Sequence, residues 1–213
     1  MTEYDVPTGF GEAELTEKRS RFIGRVWPVD SEEEARARIE ETKKRHYDAR
    51  HNCWCYLLRD GPVRYSDDGE PQGTAGQPML GVFQREGVTN LVCVVTRYFG
   101  GVLLGAGGLV RAYTQSAKDA LDAAGVSRVR RWVALGIPCG YRLLERVRQE
   151  VEHAGGLVDQ VDYGADVRLH ALLPETEWEA CAARLHDLTA GTVMPEREGE
   201  VFRPAPIRPA EGL

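Results

Sequence analysis

Residues 91–124 constrain the fold more than any other part of this chain. Leu91-Val92-Cys93-Val94-Val95 is an unbroken apolar run, the pattern of a strand buried on both faces. Gly100 to Gly108 follows, and five of its nine residues are glycine. Beyond it Leu109, Val110, Tyr113, Ala117, Ala120, Leu121 and Ala124 form one stripe of a helix over 109–124. Around this unit the pattern predicts strands at 22–29, 52–58 and 63–65. It also predicts a short helix at 78–85 and a longer one ending at Arg45. Ser31-x-x-Glu34 opens that longer helix as a capping box, with acids in its first turn and Lys43, Lys44 and Arg45 in its last. The N-terminal part therefore reads as mixed α and β.

From Trp132 a second order emerges. A strand (132–138) and a helix (141–154, stopped by Gly155-Gly156) come first. Two strands (157–161, 167–172) flank the Tyr163-Gly164 turn. A helix (175–188) and a strand within 191–201 complete it. That is β-α-β-β-α-β, the ferredoxin-like order. The expected division is thus 1–130 and 131–203, with 204–213 a flexible tail carrying three prolines. Charge follows the division: the net −6 splits into −1 over the first 130 residues and −5 over the rest.

At 213 residues the chain allows one large domain or two small ones. Hydrophobic residues at 42% and charged residues at 28% exclude a mostly disordered chain. Apolar runs fall far short of the roughly 20 residues a membrane helix needs, and residues 1–10 lack a secretory pattern. Five cysteines, at 53, 55, 93, 139 and 181, form no CxxC pair. The expectation is a cytoplasmic protein with reduced thiols, no membrane association and no cofactor. Cys53 and Cys55 share a strand face, but only His51 accompanies them, too few ligands for zinc.

Strand, glycine loop and helix together can build an anion site, because the helix start offers unpaired N–H donors and about half a positive charge. No Gly-Lys-Ser/Thr follows, and the dinucleotide fingerprint is not matched. Arg111 lies in the first turn of the helix, where a cation is unfavourable unless an anion neutralises it. Arg97 leaves the preceding strand toward the same loop. Gly100, Gly101, Gly105, Gly107 and Gly108 with Arg97 and Arg111 are the candidate phosphate cradle. Tyr98 and Phe99 interleave aromatic with basic residues, as single-stranded nucleic-acid sites do. Internal pairing of both arginines with nearby acids is the competing account, as are close packing alone for the glycines and core roles for Phe99 and Tyr113, the latter favoured by helical spacing.

Those acids lie in Ser66-Asp67-Asp68-Gly69-Glu70. Asp67, Asp68 and Glu70 with His51 could form a metal-dependent hydrolase site. Solvated acids around an Asp68-Gly69 turn explain the same residues. HExxH and GxSxG are both lacking.

Three stretches resemble the YigZ/IMPACT family: His51-Asn52-Cys53-Trp54; the segment from Ser66 to Pro78; and Thr96-Arg97-Tyr98-Phe99-Gly100-Gly101 with Leu104-Gly105-Ala106-Gly107-Gly108-Leu109-Val110-Arg111-Ala112-Tyr113. The resemblance implies an α+β fold of two domains. The first is a ribosomal-protein-like β-sheet backed by two helices, the second ferredoxin-like. It also implies association with RNA, the ribosome or a translation factor. Eukaryotic IMPACT proteins restrain the kinase response to amino-acid starvation. This chain lacks their extra N-terminal domain, so the kinase role is not carried over. Cys55 stands where alanine is usual, and Val102-Leu103 lacks a lysine some members have. Some bacterial members carry a proline-dipeptide hydrolase label. The leading expectation is a non-catalytic binder of RNA or the translation machinery, regulating translation under starvation. Its alternatives are a metal-dependent peptidase and a protein-interaction module. Arg97, Tyr98, the five glycines and Arg111 would bind; His51, Asp67, Asp68 and Glu70 would support them.

Overall fold

A computed structural model describes residues 3–210. Its contacts separate two compact units, one of residues 3–129 with 204–210, the other of 130–203.

The first unit opens with β1 (Tyr4–Pro7), β2 (Gly11–Glu17) and β3 (Ser20–Pro28). Helix α1 (Glu32–Arg45) follows, with Ser31 Oγ accepting from the Glu34 amide as the capping box requires. Next come β4 (His51–Leu57), β5 (Val63–Ser66), α2 (Gly76–Glu86), β6 (Leu91–Tyr98) and α3 (Ala106–Ala124). Five strands pair in the order β2-β3-β6-β4-β5, with every neighbour antiparallel. β6 is central, which is why its sequence is apolar on both faces. Cys93 and Val95 join Phe22, Cys53 and Cys55 under α2 and α3. Val92 and Val94 face the other way, with Ala35 and Ile39 of α1. Two helices thus back one face as expected, and α1 covers the opposite one.

α3 lies so close to the sheet that two strand positions admit no side chain. A Cβ on Gly11 would sit 2.2 Å from the Ala120 carbonyl oxygen, and one on Gly24 2.3 Å from that of Ser116. The small residues Ser116, Ala117, Ala120 and Ala124 make that approach possible. Gly24→Ala is therefore expected to destabilise this unit by about 1–3 kcal/mol, the usual range for overpacking. A urea midpoint equal to the parent's would contradict the close approach.

β1 was not anticipated. It pairs with residues 126–129 of β7 (Val126–Cys139), from Tyr4 opposite Val129 to Pro7 opposite Val126.

The second unit continues β7 from Arg130. It adds α4 (Leu144–His153), β8 (Leu157–Tyr163), β9 (Val167–Pro174), α5 (Trp178–Leu188) and β10 (Glu196–Arg208). The strand order is β8-β9-β7-β10, that of the ferredoxin-like fold. Val133, Leu135, Ile137, Leu169 and Leu173 of the sheet pack on Val147, Val151, Cys181 and Leu185 of the helices. On the sheet's other face His170 lies 3.0 Å from Asp162 and 3.2 Å from Glu198.

The tail corrects an expectation. Residues 204–210 belong to the first unit, and β10 runs on to Arg208. Arg208 pairs with Glu86 at 2.8 Å and Asp122 at 3.6 Å. Two carboxylates on helices α2 and α3 therefore hold a segment whose proline content suggested looseness. Residues 211–213 lie outside the described residues.

Candidate functional site

Strand alternation decides where each β6 side chain points. Arg97 shares the α2/α3 face with Cys93 and Val95, and Tyr98 takes the α1 face. Tyr98 lies 2.8 Å from His46 Nδ1 and donates to Asp48 at 3.1 Å. It is therefore a partner of α1's end and not of the glycine loop, which corrects its place in the expected cradle.

Arg97 is only 5% exposed. Its Nη1 donates to Glu70 Oε1 at 2.6 Å, and Nη2 reaches Ser20 Oγ at 3.3 Å. Glu70 is buried too, and the Tyr113 hydroxyl donates to the same Oε1 at 2.8 Å. Cys53 Sγ in turn reaches that hydroxyl at 3.3 Å. Burial pushes both the Cys53 thiol and the Tyr113 phenol well above their ordinary values. Neither ionises in the neutral range, so Cys53 supplies no thiolate nucleophile.

The other acids have separate structural duties. Asp67 Oδ1 accepts from the amides of Ala75 (3.1 Å) and Gly76 (2.8 Å), and Oδ2 from that of Gly73 (2.8 Å). It thereby closes the loop that leads into α2. Asp68 accepts from the Asn52 amide at 2.7 Å and pairs with Lys43 at 3.2 Å. Asp67 and Asp68 thus bind different partners, while Glu70 Oε2 and His51 Nε2 lie 3.8 Å apart. Among the described residues no group of three or more acids, histidines or cysteines is placed to hold a metal. The ligand set imagined for a hydrolase does not assemble.

The glycine loop is part packing, part site. A Cβ on Gly100 would lie 2.0 Å from the Arg19 carbonyl oxygen, so Gly100 serves the fit of the loop on the β2–β3 turn. Gly105 adopts φ +73° at the N-cap of α3, a backbone region that favours glycine. No side chain caps this nineteen-residue helix, and its first turn carries no acid. Its leading amides are left for a ligand or solvent.

Arg97 and Arg111 do not converge. Arg97 lines a cleft of about 390 Å³ with Arg50, His51, Gly69, Glu70, Pro71, Phe99, Leu103, Leu104, Gly105, Ala106 and Leu109. Arg111 lines a different groove, of about 590 Å³, beside Gly108, Leu15 and Glu17. Gly107 lies under the Arg111 guanidinium, 3.6 Å from where its own Cβ would stand. The internal-pairing account therefore holds for Arg97 and fails for Arg111, which is exposed. Among the described residues Arg111 forms no ion pair.

One wall residue went unrecognised in the sequence, and another was left between two accounts. Arg50 is exposed, and among the described residues it too forms no ion pair. It reaches the cleft because β4 lies beside β6: its amide donates to the Arg97 carbonyl at 3.0 Å. No local signal marks it, apart from its place next to His51. Phe99 is 45% exposed at the cleft and not core. With Leu103, 82% exposed, it forms an apolar lip.

Comparison with known proteins agrees with this architecture. Residues 18–121 match the Impact N-terminal domain, and residues 137–192 match a domain of unknown function, DUF1949. IMPACT family member YvyE of Bacillus subtilis is 36% identical over 90% of this chain and 88% of its own length. IMPACT family member YigZ of Escherichia coli is 37% identical over 83% of this chain and 89% of its own. A crystal structure described as a hypothetical protein has 33% identity and a TM-score of 0.58, covering 93% of this chain and 98% of its own. The chain belongs to the IMPACT family. Its α+β, two-domain architecture is the one the motif resemblance implied.

Proposed function

We propose that this protein is a non-catalytic, cytoplasmic binder of RNA or of the translation machinery. Its N-terminal unit holds phosphate at the start of α3. One observation carries the reading: a long helix with neither a capping side chain nor a first-turn acid opens onto a cleft beside Arg50, a cation without an ion pair among the described residues. Free amides, the positive end of the helix dipole and an unpaired guanidinium favour the same kind of ligand, an anion. Exposed Phe99 beside them favours an anion that carries bases, since ring stacking accepts any base. Arg111, in the separate groove beside Gly108 and Leu15, offers a second phosphate contact. The net charge of −6 does not oppose this, because screening acts over roughly 8 Å at physiological salt. The family resemblance is what ties the RNA to translation.

The test removes Arg50 and Arg111, both exposed. Arg50→Ala with Arg111→Ala should weaken binding of a labelled single-stranded RNA. The slope of log K against log salt should become shallower by about 1.4, the contribution of two phosphate contacts. Anisotropy titrations over a salt series read both quantities. An unchanged affinity and slope in the folded double variant would reject the cradle.

A further inference from the structure

We infer that the 390 Å³ cleft takes one unstacked base bearing an exocyclic amino group, with Glu70 Oε2 and His51 Nε2 as its acceptors. This rests on the RNA reading and adds base preference to it. The floor of the cleft carries the observation. Glu70 Oε1 is fully engaged by Arg97 and Tyr113. Oε2 has no hydrogen bond among the described residues, although the side chain is only 3% exposed. His51 Nε2 lies 3.8 Å from it, beyond hydrogen-bonding distance.

The histidine's tautomer follows from its other nitrogen. His51 Nδ1 lies 2.8 Å from the Asp68 backbone carbonyl. A carbonyl cannot donate, so Nδ1 carries the proton, and in the neutral ring Nε2 is an acceptor. With the ring in that form, two acceptors stand 3.8 Å apart in a cleft lined also by Pro71, Phe99, Leu104 and Leu109. A donor that enters the cleft reaches both. An amino group has two N–H bonds and can donate one to each.

Adenine N6 and cytosine N4 are such groups. Uracil has a carbonyl oxygen where cytosine has N4, so it would set a third acceptor against the two. The cleft is large enough for one base, within the usual range of small-molecule sites. Phe99 offers the stacking face, and the α3 amides with Arg50 lie at the same cleft for the attached phosphate.

The experiment compares labelled oligocytidylate and oligouridylate of equal length on the full chain. Cytidylate should bind about tenfold tighter, within the discrimination a good edge contact gives. Glu70→Gln sharpens the test. Arg97 and Tyr113 both donate, so they hold the amide oxygen and turn its NH₂ into the cleft. The variant should lose the cytidylate preference and favour uridylate. Phe99→Ala, at an exposed position, should weaken both oligomers and leave their ratio unchanged. Equal binding of both oligomers by the parent overturns the base pocket and leaves the RNA reading standing. A folded Glu70→Gln that keeps the cytidylate preference also overturns it. Binding of neither oligomer removes the RNA reading and the pocket with it. Should Glu70→Gln fail to fold, the parent comparison alone decides.

Discussion

Alanine in place of Glu70 is expected to cost the N-terminal unit about 3–5 kcal/mol, the range for breaking a buried ion pair from one side. Arg97 would keep its charge at 5% exposure with its 2.6 Å partner gone, and the Tyr113 hydroxyl would lose its acceptor. Arg97→Ala should cost a similar amount, because Glu70 would then be the uncompensated charge. Against a total stability of about 5–15 kcal/mol, either change leaves a marginal fold. The pair itself is a different matter. Two charges taken out of water repay their desolvation poorly, so Glu70→Leu with Arg97→Met should recover most of the loss. Urea unfolding of the parent, both singles and the double gives the coupling directly. Single variants that each lose less than about 1 kcal/mol would show that the interior pair is not the anchor inferred here. The result bears on function too. An Arg97→Ala variant that fails to bind RNA reports a damaged fold, whereas Arg50 and Arg111 report binding.

What could be read from the sequence was what local chemistry determines. Ser31 and Glu34 cap α1 through atoms three residues apart, and the α3 stripe is a property of one helix. β2 escaped because its inward residues are a glycine, an alanine and a leucine set between glutamates. Those glutamates make sense only across the strand pair, where Glu14 meets Arg21 at 2.7 Å and Glu12 meets Arg25 at 2.5 Å. Helices α4 and α5 begin about three residues later than periodicity suggested, after turns at 141–143 and 175–177. The site divides in the same way. The glycine loop and the free start of α3 were legible, since they lie in one continuous stretch. Strand alternation alone would have separated Arg97 from Tyr98, but the apolar run of β6 is the same on both faces and hid which face was which. Arg50 was invisible: only the antiparallel pairing that sets His51 opposite Arg97 brings it to the cleft.

Asp67→Ala should unfold the loop that forms one wall of the cleft, at a cost of about 2–4 kcal/mol. The estimate follows from three amide hydrogen bonds to one carboxylate, each worth roughly 1.5–3 kcal/mol when the acceptor is charged, and not additive. Gly73, Ala75 and Gly76 would lose their acceptor together. Among the described residues α2 would lose the only side-chain acceptor at its start, since Ala75 at its N-cap has no side chain to offer. The negative charge that complements the helix dipole would go as well. Asp67→Asn should fall between the two, because its oxygen still accepts while its NH₂ faces donors. Hydrogen exchange checks this at single amides: Gly73, Ala75 and Gly76 should move from protected to fast, well before the sheet opens. The sign of the effect separates this account from the metal-hydrolase reading. Acids gathered for a metal repel one another in metal-free buffer, so deleting one should stabilise the protein or leave it unchanged. An acid bound to backbone donors does the reverse. A stability gain on Asp67→Ala in metal-free buffer would put the carboxylate back among candidate ligands. A loss of the stated size, with Glu70 and Pro71 displaced from the cleft wall and RNA affinity falling with them, assigns Asp67 to holding the site's shape.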